Sequence, residues 1–296
     1  MWSIADIPDQ TGRVVLVTGA NSGIGKETAD RLASRGATVV KACRNPGTMP
    51  GDVLRLDLAD LASVRAAAAE FTQRYDRLDL LINNAGVMIP PYGRTRDGFE
   101  LQFGTNHLGH FALTGLLLDR LRATAGSRVV TVSSNAHRRG VINFDDLRSE
   151  RGYSPMAAYA QSKLANLLFT FELQRRLAGT DTLALAAHPG AARTGLTRHS
   201  PLLFRFVVSR RTAWIFRWWL IQDERAGALP TLRAATDPAA AGGDYFGPDG
   251  WKEFTGRPVK VAAEEHAHDT EVQRRLWRES ERLTGVSYSL DERSRG

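Results

Sequence analysis

The stretch that most constrains the fold is a glycine-rich segment, residues 18–25, which reads Thr-Gly-Ala-Asn-Ser-Gly-Ile-Gly. The β-branched run of residues 13–17 precedes it, and an apparent helix follows it. A strand, a glycine-rich turn and a helix in this order are typical of a dinucleotide-binding segment. The helix N-terminus presents unpaired N–H groups and the positive end of its dipole to a pyrophosphate. The spacing differs from the usual G-x-G-x-x-G fingerprint, so a tight turn without a ligand is the alternative at this point.

The glycines of this turn have separate expected roles. Gly19 forms the turn, Gly23 lets the backbone approach a phosphate, and Gly25 lets the helix pack closely on the strand. The predicted cofactor-binding residues of the turn are Gly19, Asn21, Ser22, Gly23, Ile24 and Gly25.

Composition excludes several classes of protein. Of the 296 residues, 43% are hydrophobic, which is enough for a sizeable core. The single cysteine, Cys43, excludes an internal disulfide and a multi-cysteine metal site. The first residues lack the basic and apolar regions of a signal peptide, and no apolar run is long enough to span a bilayer. We therefore expect a cytoplasmic globular protein without a metal.

The net charge of +7 is compatible with nucleic acid, a membrane surface or an anionic cofactor as a partner. Most arginines are scattered among acidic residues, and the chain contains no nucleic-acid recognition motif. Nucleic acid is therefore not expected as a partner.

The second predicted strand, residues 38–43, ends where dinucleotide folds place the residue that reads the ribose, ~20 residues after the glycines. No acid stands there to bind the 2′-hydroxyl of NAD(H), whereas Arg44 suits the 2′-phosphate of NADP(H). We therefore prefer NADP(H) over NAD(H) as cofactor, with a plain surface arginine as the alternative. The next strand, residues 53–57, follows the turn-forming residues 45–51 almost at once, although parallel neighbours usually need a longer crossover.

Polar residues follow the third and fourth strands. Asp57 and Leu58 are predicted to lie beside the adenine of the cofactor, with an N-cap of the helix over residues 61–75 as the alternative for Asp57. The fourth strand leads into residues 83–86, Asn-Asn-Ala-Gly. Asparagine at a strand end readily bonds to backbone, so we expect a structural role for at least one of the two. Gly86 allows the backbone to approach the cofactor.

Four residues further along are candidates for chemistry. Asn106 opens a predicted amphipathic helix and is either its cap or a buried functional group. The fifth strand runs into Ser134, at the edge where open α/β sheets bind ligands. Tyr159 and Lys163 share one helix face at i and i+4, and a neighbouring cation favours the ionised phenol. Tyr159 is thus a candidate proton donor or acceptor, although Tyr-x-x-x-Lys alone is also common on solvated helices.

These motifs together resemble the short-chain dehydrogenase/reductase family in order and context, over roughly residues 12 to 250. The segments that resemble its retinol dehydrogenase-like branch are residues 42–44, 105–111, 133–137 and 162–166, with the long segment between Ser134 and Tyr159. The shortened connection at 45–51 departs from the family pattern. The catalytic positions do not depart from it.

The resemblance implies a role for each matching residue. Tyr159 is the acid/base that moves the proton of the substrate, and Lys163 lowers its pKa and binds the nicotinamide ribose. Ser134 holds the substrate oxygen and stabilises its developing charge, and Asn106 anchors a water in the proton relay to Lys163. The other cofactor contacts that it implies are Asn84, Ala85 and Gly86, with Pro189, Gly190 and Thr194 near the carboxamide.

In this family the substrate lid follows the sixth strand, here at about 195–225. Aromatic, aliphatic and arginine residues interleave over residues 198–220. Three interpretations stay open: an apolar substrate pocket, a helix on a membrane surface with its arginines toward the headgroups, or a helix packed on the core or a partner subunit. From about Gly285 to residue 296 the chain is polar, and we expect a frayed tail.

The sequence therefore predicts a single domain over residues 1–296, a doubly wound parallel sheet of the Rossmann type in three α/β/α layers. The predicted function is that of an NADP(H)-dependent oxidoreductase, with NAD(H) possible, acting on a small apolar alcohol or carbonyl compound. Peripheral membrane contact through residues 198–220 and a homo-oligomer stay open. The alternative function is a catalytically idle nucleotide-binding scaffold that senses redox state through protein contacts. An intact set of Ser134, Tyr159 and Lys163 argues against it, since such a scaffold has no need of all three.

Overall fold

The computed structural model describes residues 2–191 and 223–290. Its strands are β1 (Val14–Thr18), β2 (Thr38–Cys43), β3 (Val53–Arg55), β4 (Leu80–Asn83), β5 (Arg128–Val132), β6 (Leu183–Ala187), β7 (Tyr245–Pro248) and β8 (Pro258–Lys260). They form one sheet in the order β3-β2-β1-β4-β5-β6-β7-β8, in which every pair is parallel except β7 with β8. The expected strands at residues 38–43 and 53–57 are confirmed within two residues as β2 and β3, and the run of residues 13–17 corresponds to β1, whereas β8 was not predicted.

Helices lie on both faces of this sheet. The helices are α1 (Gly23–Ser34), α2 (Leu61–Arg74), α3 (Leu101–Phe103), α4 (Gly109–Leu116), α5 (Leu118–Ala123), α6 (Pro155–Arg176), α7 (Glu224–Thr236) and α8 (Thr270–Thr284). Short 3₁₀ turns complete the described elements at Ile4–Asp6, Asn135–Arg139, Trp251–Glu253 and Glu265–His268.

The core has two layers because successive side chains of each central strand point to opposite faces. In β1, Leu16 packs in a cluster with α2, α4, α6 and α8, whereas Val15 and Val17 pack in a second cluster with α1 and α7. Strands buried on both faces explain the continuous apolar runs in the sequence. The predicted doubly wound, three-layer α/β/α architecture is confirmed.

The strand order places the functional end of the sheet. Strands β2 and β3 lie on one side of β1 in the sheet, and β4 and the later strands lie on its other side. The direction of strand addition therefore reverses between β1 and β4, beside the end of β1. Ligands of open α/β sheets bind at such a point, outside the carboxyl ends of the strands. The connection from β2 to β3, residues 44–52, contains no helix, as the short 45–51 segment predicted.

The helix geometry changes at Asn106, one of the predicted site residues. Glu100 caps the N-terminus of α3 by accepting hydrogen bonds from the backbone N–H groups of Gln102 and Phe103, at 2.8 and 2.7 Å. A π-helical segment, Gly104–Leu108, then joins α3 to α4. Asn106 lies inside this segment, fully buried, so the expectation that it opens a helix is wrong. Single π turns in α-helices are rare and frequent at functional sites.

The C-terminal residues pack more closely than their polarity indicates. Helix α8 ends at Thr284 with Gly285 as its C-cap, and beyond it Val286 and Tyr288 are buried against the α4 and α6 side of the core. The Tyr288 hydroxyl donates to the carbonyl of Phe111 at 2.6 Å. The expected fraying from Gly285 is therefore wrong up to residue 290, and residues 291–296 lie outside the described residues.

Within the part of the chain that the structure describes, no helix is both long and apolar enough to cross a membrane. The predicted lid and the interleaved segment 198–220 fall almost entirely outside the described residues.

Candidate active site

The glycine-rich turn stands at the end of β1 as predicted. Gly19 has φ +68°, a left-handed conformation that favours glycine, and its N–H donates to the carbonyl of Ala42 in β2 at 2.8 Å. At Gly25, a Cβ atom would collide with the Gly19 carbonyl and with the Asn84 side chain. The turn is therefore folded tightly onto α1, and its geometry requires glycine at these two positions.

The N-terminus of α1 faces the same edge of the sheet. Ser22 is its N-cap, but the Ser22 side chain accepts no hydrogen bond from the helix. Asn21 and Ser22 are exposed, whereas Ile24 is buried in the core. An uncapped helix N-terminus with exposed small polar residues suits a phosphate group.

Arg44 follows β2 directly, two residues after the Ala42 carbonyl that holds Gly19. Its side chain is exposed, and no hydrogen bond or ion pair joins its guanidinium to any other residue described here. Arg44 therefore follows the residues of β2 that contact the glycine-rich turn, and its exposed guanidinium is available to an anionic group.

Asn84 is part of the scaffold of this turn. Its side-chain Nδ2 donates to the Thr18 carbonyl at 2.9 Å, and the backbone N–H groups of Asn84 and Ala85 both donate to the Thr18 hydroxyl, at 2.9 and 3.0 Å. Asn83 donates from Nδ2 to the Thr114 hydroxyl at 3.0 Å. The expected structural role for at least one asparagine is confirmed for both, and Asn84 as a cofactor contact stays a prediction.

Asp57 and Leu58 lie beyond the end of β3. The Asp57 carboxylate accepts from the backbone N–H of Ala59 at 3.0 Å, and Leu58 is buried in the core. The N-cap alternative for Asp57 is wrong, because Asp60 caps α2 through the backbone N–H groups of Ala62 and Ser63.

Ser134, Tyr159 and Lys163 converge at the ends of β5 and α6. Tyr159 is 8% exposed and Lys163 is 4% exposed, and the Lys163 ammonium lies 5.7 Å from the centre of the Tyr159 ring. The Lys163 Nζ donates to the carbonyl of Val132, the last residue of β5, at 3.1 Å. The shared helix face that the i, i+4 spacing predicts is confirmed.

Burial shifts the titration of this pair. Burial raises the pKa of Tyr159, and interaction with the Ser134 side chain partly opposes the rise. Burial lowers the pKa of the Lys163 ammonium to about 8. The expected lowering of the Tyr159 pKa by Lys163 is therefore wrong for this structure, in which desolvation of the phenol is the largest effect. A raised pKa keeps the phenol protonated at neutral pH, which is the state of a proton donor.

Asn106 is a buried polar group rather than a cap. Its side chain forms two hydrogen bonds with the backbone of Val87, accepting from the N–H at 2.8 Å and donating to the carbonyl at 2.9 Å. It also donates to the Ser162 hydroxyl at 2.9 Å. A Cβ atom at Gly86 would lie 3.0 Å from Asn106 Oδ1 and 3.7 Å from Lys163 Nζ. Asn106 and Lys163 therefore both lie beside the backbone of Gly86.

The loop after β6 borders the same site. Gly190 has φ +66°, and the Ala191 N–H donates to the Phe254 carbonyl at 2.8 Å. Pro189 and Gly190 are half-buried there, whereas Thr194 lies outside the described residues. The two predicted residues that are described therefore reach the expected edge of the sheet.

A loop that the sequence did not predict as part of the site packs on this segment. His188 pairs with Glu253 at 3.0 Å, and Asn135, next to Ser134, donates to the Glu253 carbonyl at 3.1 Å. Glu253 has φ +57°, an uncommon conformation for a residue other than glycine. The only sequence signal was the closely spaced glycines at 247, 250 and 256.

Two other histidines have local contacts. The ring of His266 lies 3.2 Å from the carbonyl oxygen of His137, and His268 stacks on Phe171 with ring centres 4.7 Å apart. Among residues 2–191 and 223–290, no group of His, Cys, Asp and Glu side chains is arranged to hold a metal ion.

The arrangement fits a nicotinamide dinucleotide. The uncapped end of α1 offers N–H groups to a pyrophosphate, and the backbone of Gly86 leaves open the space beside Lys163 and Asn106 where a side chain would stand. Fold and site together define an NAD(P)-dependent oxidoreductase.

The chain belongs to the short chain dehydrogenase family, whose sequence profile matches residues 13–201. It is similar to retinol dehydrogenase 13 of Homo sapiens, with 47% identity over 96% of this chain and 87% of that protein. Retinol dehydrogenase 12 of Homo sapiens is 44% identical over 94% of this chain and 88% of its own length. A crystal structure of an uncharacterized protein from Mycobacterium Paratuberculosis is 46% identical, with a TM-score of 0.79 over 98% of this chain and 99% of that one.

Proposed function

We propose that the protein uses NADP(H) to interconvert an apolar alcohol, of the retinol type, and its aldehyde or ketone. The observation that carries this proposal is the convergence of Ser134, Tyr159 and Lys163 beside the open Gly86 backbone. A scaffold that only binds nucleotide does not require a buried phenol and a buried ammonium at the same point.

The bound nicotinamide supplies or accepts the hydride. Tyr159 is protonated at neutral pH because burial raises its pKa, so it donates its proton to the carbonyl oxygen during reduction and regains it during oxidation. The hydroxyl of Ser134 stands beside the phenol and hydrogen-bonds the same substrate oxygen as charge develops on it. The pKa of Lys163, about 8, leaves the ammonium mostly charged at neutral pH, where it would bind the hydroxyl groups of the nicotinamide ribose.

The proposed substrate class rests on the relatives and on the predicted lid. Retinol dehydrogenases 12 and 13 are named for a long apolar alcohol, and each matches more than nine-tenths of this chain. The interleaved apolar and aromatic residues of 198–220 agree with an apolar substrate, although that segment lies outside the described residues.

Arg44 carries the proposed preference for NADP(H). An unpaired guanidinium beside the glycine-rich turn binds a 2′-phosphate in a bidentate manner, whereas NAD(H) offers no such anion. We expect Arg44→Ala to weaken NADPH binding about tenfold or more and to leave NADH binding almost unchanged, since a charge-assisted hydrogen bond contributes roughly 1.5–3 kcal/mol. Fluorescence titration of both nucleotides measures the ratio. Equal losses for NADPH and NADH would show that Arg44 does not read the phosphate.

The function itself is tested by binding followed by turnover. Wild-type protein is titrated with NADPH and NADH, and is then assayed with retinal, other apolar aldehydes and ketones, and the matching alcohols with the oxidised nucleotides. We expect tight NADPH binding and turnover of apolar substrates. Tight binding with no turnover across the panel would support the scaffold instead, and failure to bind either nucleotide would contradict both functions.

A further inference from the structure

One histidine on α4 connects two parts of the site that lie far apart in the sequence. His110 is 1% exposed, and its Nδ1 lies 2.9 Å from the carbonyl oxygen of Asn106. Its Nε2 lies 2.9 Å from the hydroxyl oxygen of Thr18, the last residue of β1. A single buried imidazole therefore spans the distance between Asn106 and the residue that precedes Gly19.

The partners of His110 determine which nitrogen carries the proton. A backbone carbonyl only accepts hydrogen bonds, so Nδ1 carries the hydrogen and donates to Asn106. The Thr18 hydroxyl already accepts from the N–H groups of Asn84 and Ala85, so its own proton is donated to Nε2, which is nearer at 2.9 Å than the Ile82 carbonyl at 3.3 Å. His110 is thus a neutral bridge with one donor and one acceptor.

Burial and charge both keep the ring neutral. Burial, opposed in part by the hydrogen bond to Asn106 and assisted by the nearby Lys163 ammonium, lowers the pKa of His110 to about 4. A protonated ring would present a second N–H to a Thr18 oxygen that already accepts two hydrogen bonds. The bridge therefore keeps one hydrogen-bonding pattern at neutral pH.

The bridge has different consequences at its two ends. At Thr18 it fixes the hydroxyl that holds the backbone of Asn84 and Ala85, so it sets the spacing between the glycine-rich turn and that segment. At the other end it fixes the main chain of the π segment at Asn106, whose side chain lies close to the Gly86 backbone and Lys163. The contact with Thr18 therefore affects nucleotide affinity, and the contact with Asn106 affects the position of Lys163.

We propose that His110 is a positioning residue of this site: through Thr18 it holds the nucleotide-binding turn, and through the Asn106 carbonyl it holds the π segment beside Lys163. Its effect on turnover rests on the proposed function. Its effect on nucleotide affinity does not, and it is measured without any substrate.

Two conservative variants separate the two ends of the bridge. In His110→Asn the amide nitrogen takes the place of Nδ1 and keeps the bond to Asn106, whereas the link to Thr18 is lost. In His110→Gln the amide oxygen takes the place of Nε2 and keeps the link to Thr18, whereas the bond to Asn106 is lost. His110→Leu removes both. The measured quantities are the Kd of NADPH by fluorescence, kcat at saturating NADPH, and the midpoint of thermal unfolding.

We expect His110→Asn to raise the Kd of NADPH by roughly ten- to a hundredfold with little change in kcat. The reason is that the buried Thr18 hydroxyl loses its hydrogen-bond partner, which destabilises the nucleotide-binding turn. His110→Gln should lower kcat by a similar factor and bind NADPH nearly as wild type does. His110→Leu should show both losses. A histidine that only fills the core is not expected to give one variant with an altered Kd and another with an altered kcat.

His107 provides the matched control on the neighbouring π turn. It is equally buried, but its Nε2 lies 2.9 Å from the Ser280 hydroxyl on α8, away from the glycine-rich turn. We expect His107→Asn and His107→Gln to lower the midpoint of thermal unfolding. Neither variant should change the Kd of NADPH without a similar change in kcat, or kcat without a similar change in Kd.

Parallel changes of Kd and kcat in the Asn and Gln variants, or no change in either, would overturn the proposal for His110. If wild-type protein binds NADPH but turns over no substrate, the proposed function fails, and the Kd values of the two variants alone test the proposal for His110. That proposal stands if only His110→Asn binds NADPH weakly. It fails if both variants bind NADPH alike. A wild-type protein that binds neither nucleotide would overturn both proposals.

Discussion

Replacement of Tyr159 by Phe is expected to lower kcat for the reduction of an apolar aldehyde by about 10²- to 10⁴-fold, the usual contribution of a positioned general acid. The phenol is the group with a protonated hydroxyl beside Ser134, and phenylalanine retains the ring while it removes the proton that is donated. NADPH affinity and the unfolding midpoint should change little, since the ring keeps its packing. Steady-state rates at saturating NADPH, with a fluorescence titration of the same samples, measure both quantities.

Tyr75→Phe is the matched control for this substitution. Tyr75 is the C-cap of α2, where its hydroxyl accepts from Arg74 at 3.2 Å. Arg74 also donates to the carbonyl of Val53, the first residue of β3, so Tyr75 lies toward the amino ends of the strands, opposite the candidate site. Loss of a phenol there should leave kcat unchanged. Equal activity of Tyr159→Phe and wild type would remove Tyr159 from the proposed chemistry, even if the protein proved to be an active reductase.

Replacement of Trp277 by Ala is expected to have the largest effect on stability. Trp277, on α8, is 1% exposed and packs between the rings of Phe111, Phe169 and Tyr288, at centroid distances of 5.2, 5.8 and 4.5 Å. The guanidinium of Arg176 lies 4.4 Å from its centre on the remaining side. Removal of a buried Trp side chain leaves a cavity that costs about 3–5 kcal/mol, a large part of the 5–15 kcal/mol typical of a domain.

Urea unfolding followed by circular dichroism measures this loss. Trp251→Ala is the matched control, because Trp251 is 65% exposed and its removal should change the free energy of unfolding by less than about 0.5 kcal/mol. Equal, small losses for the two variants would show that α8 is not an integral part of the core.

The sequence predicted the sheet well because buried parallel strands carry a strong local signal. β1 and β6 are continuous apolar or β-branched runs, and the only charged residues in β2 and β5 are Lys41 and Arg128. Strand β8 is three residues long and pairs antiparallel with β7, so its formation depends on a contact that no local pattern reveals.

The C-terminal residues were misjudged for a similar reason. Serines alternate with Val286, Tyr288 and Leu290, and the overall polarity hid a period-two pattern that directs these three side chains to one side. The alternation was present in the sequence and was the signal that could have found this contact.

The candidate site was predicted in its chemistry but not in its connections. The end of the fifth strand indicated where Ser134 would lie, since carboxyl ends of parallel strands share one edge. The i, i+4 spacing placed Tyr159 and Lys163 on one helix face, and only the family resemblance brought that face to Ser134. The pKa direction of Tyr159 could not be predicted, because it depends on how completely the phenol is buried and where the Lys163 ammonium points. His110 gave only the signal of a histidine four residues after Asn106, and its link to Thr18 depends on the tertiary fold.

Hydride transfer from NADPH to an apolar carbonyl compound is tested by supplying the protein with retinal and with NADPH that carries deuterium at the transferable position of the nicotinamide. The measured quantity is the mass of the alcohol that forms. We expect one deuterium in each molecule of product made by the wild-type protein, and little product with Tyr159→Phe. Full nucleotide binding without deuterated product from retinal or from any other apolar aldehyde or ketone would contradict the proposed function.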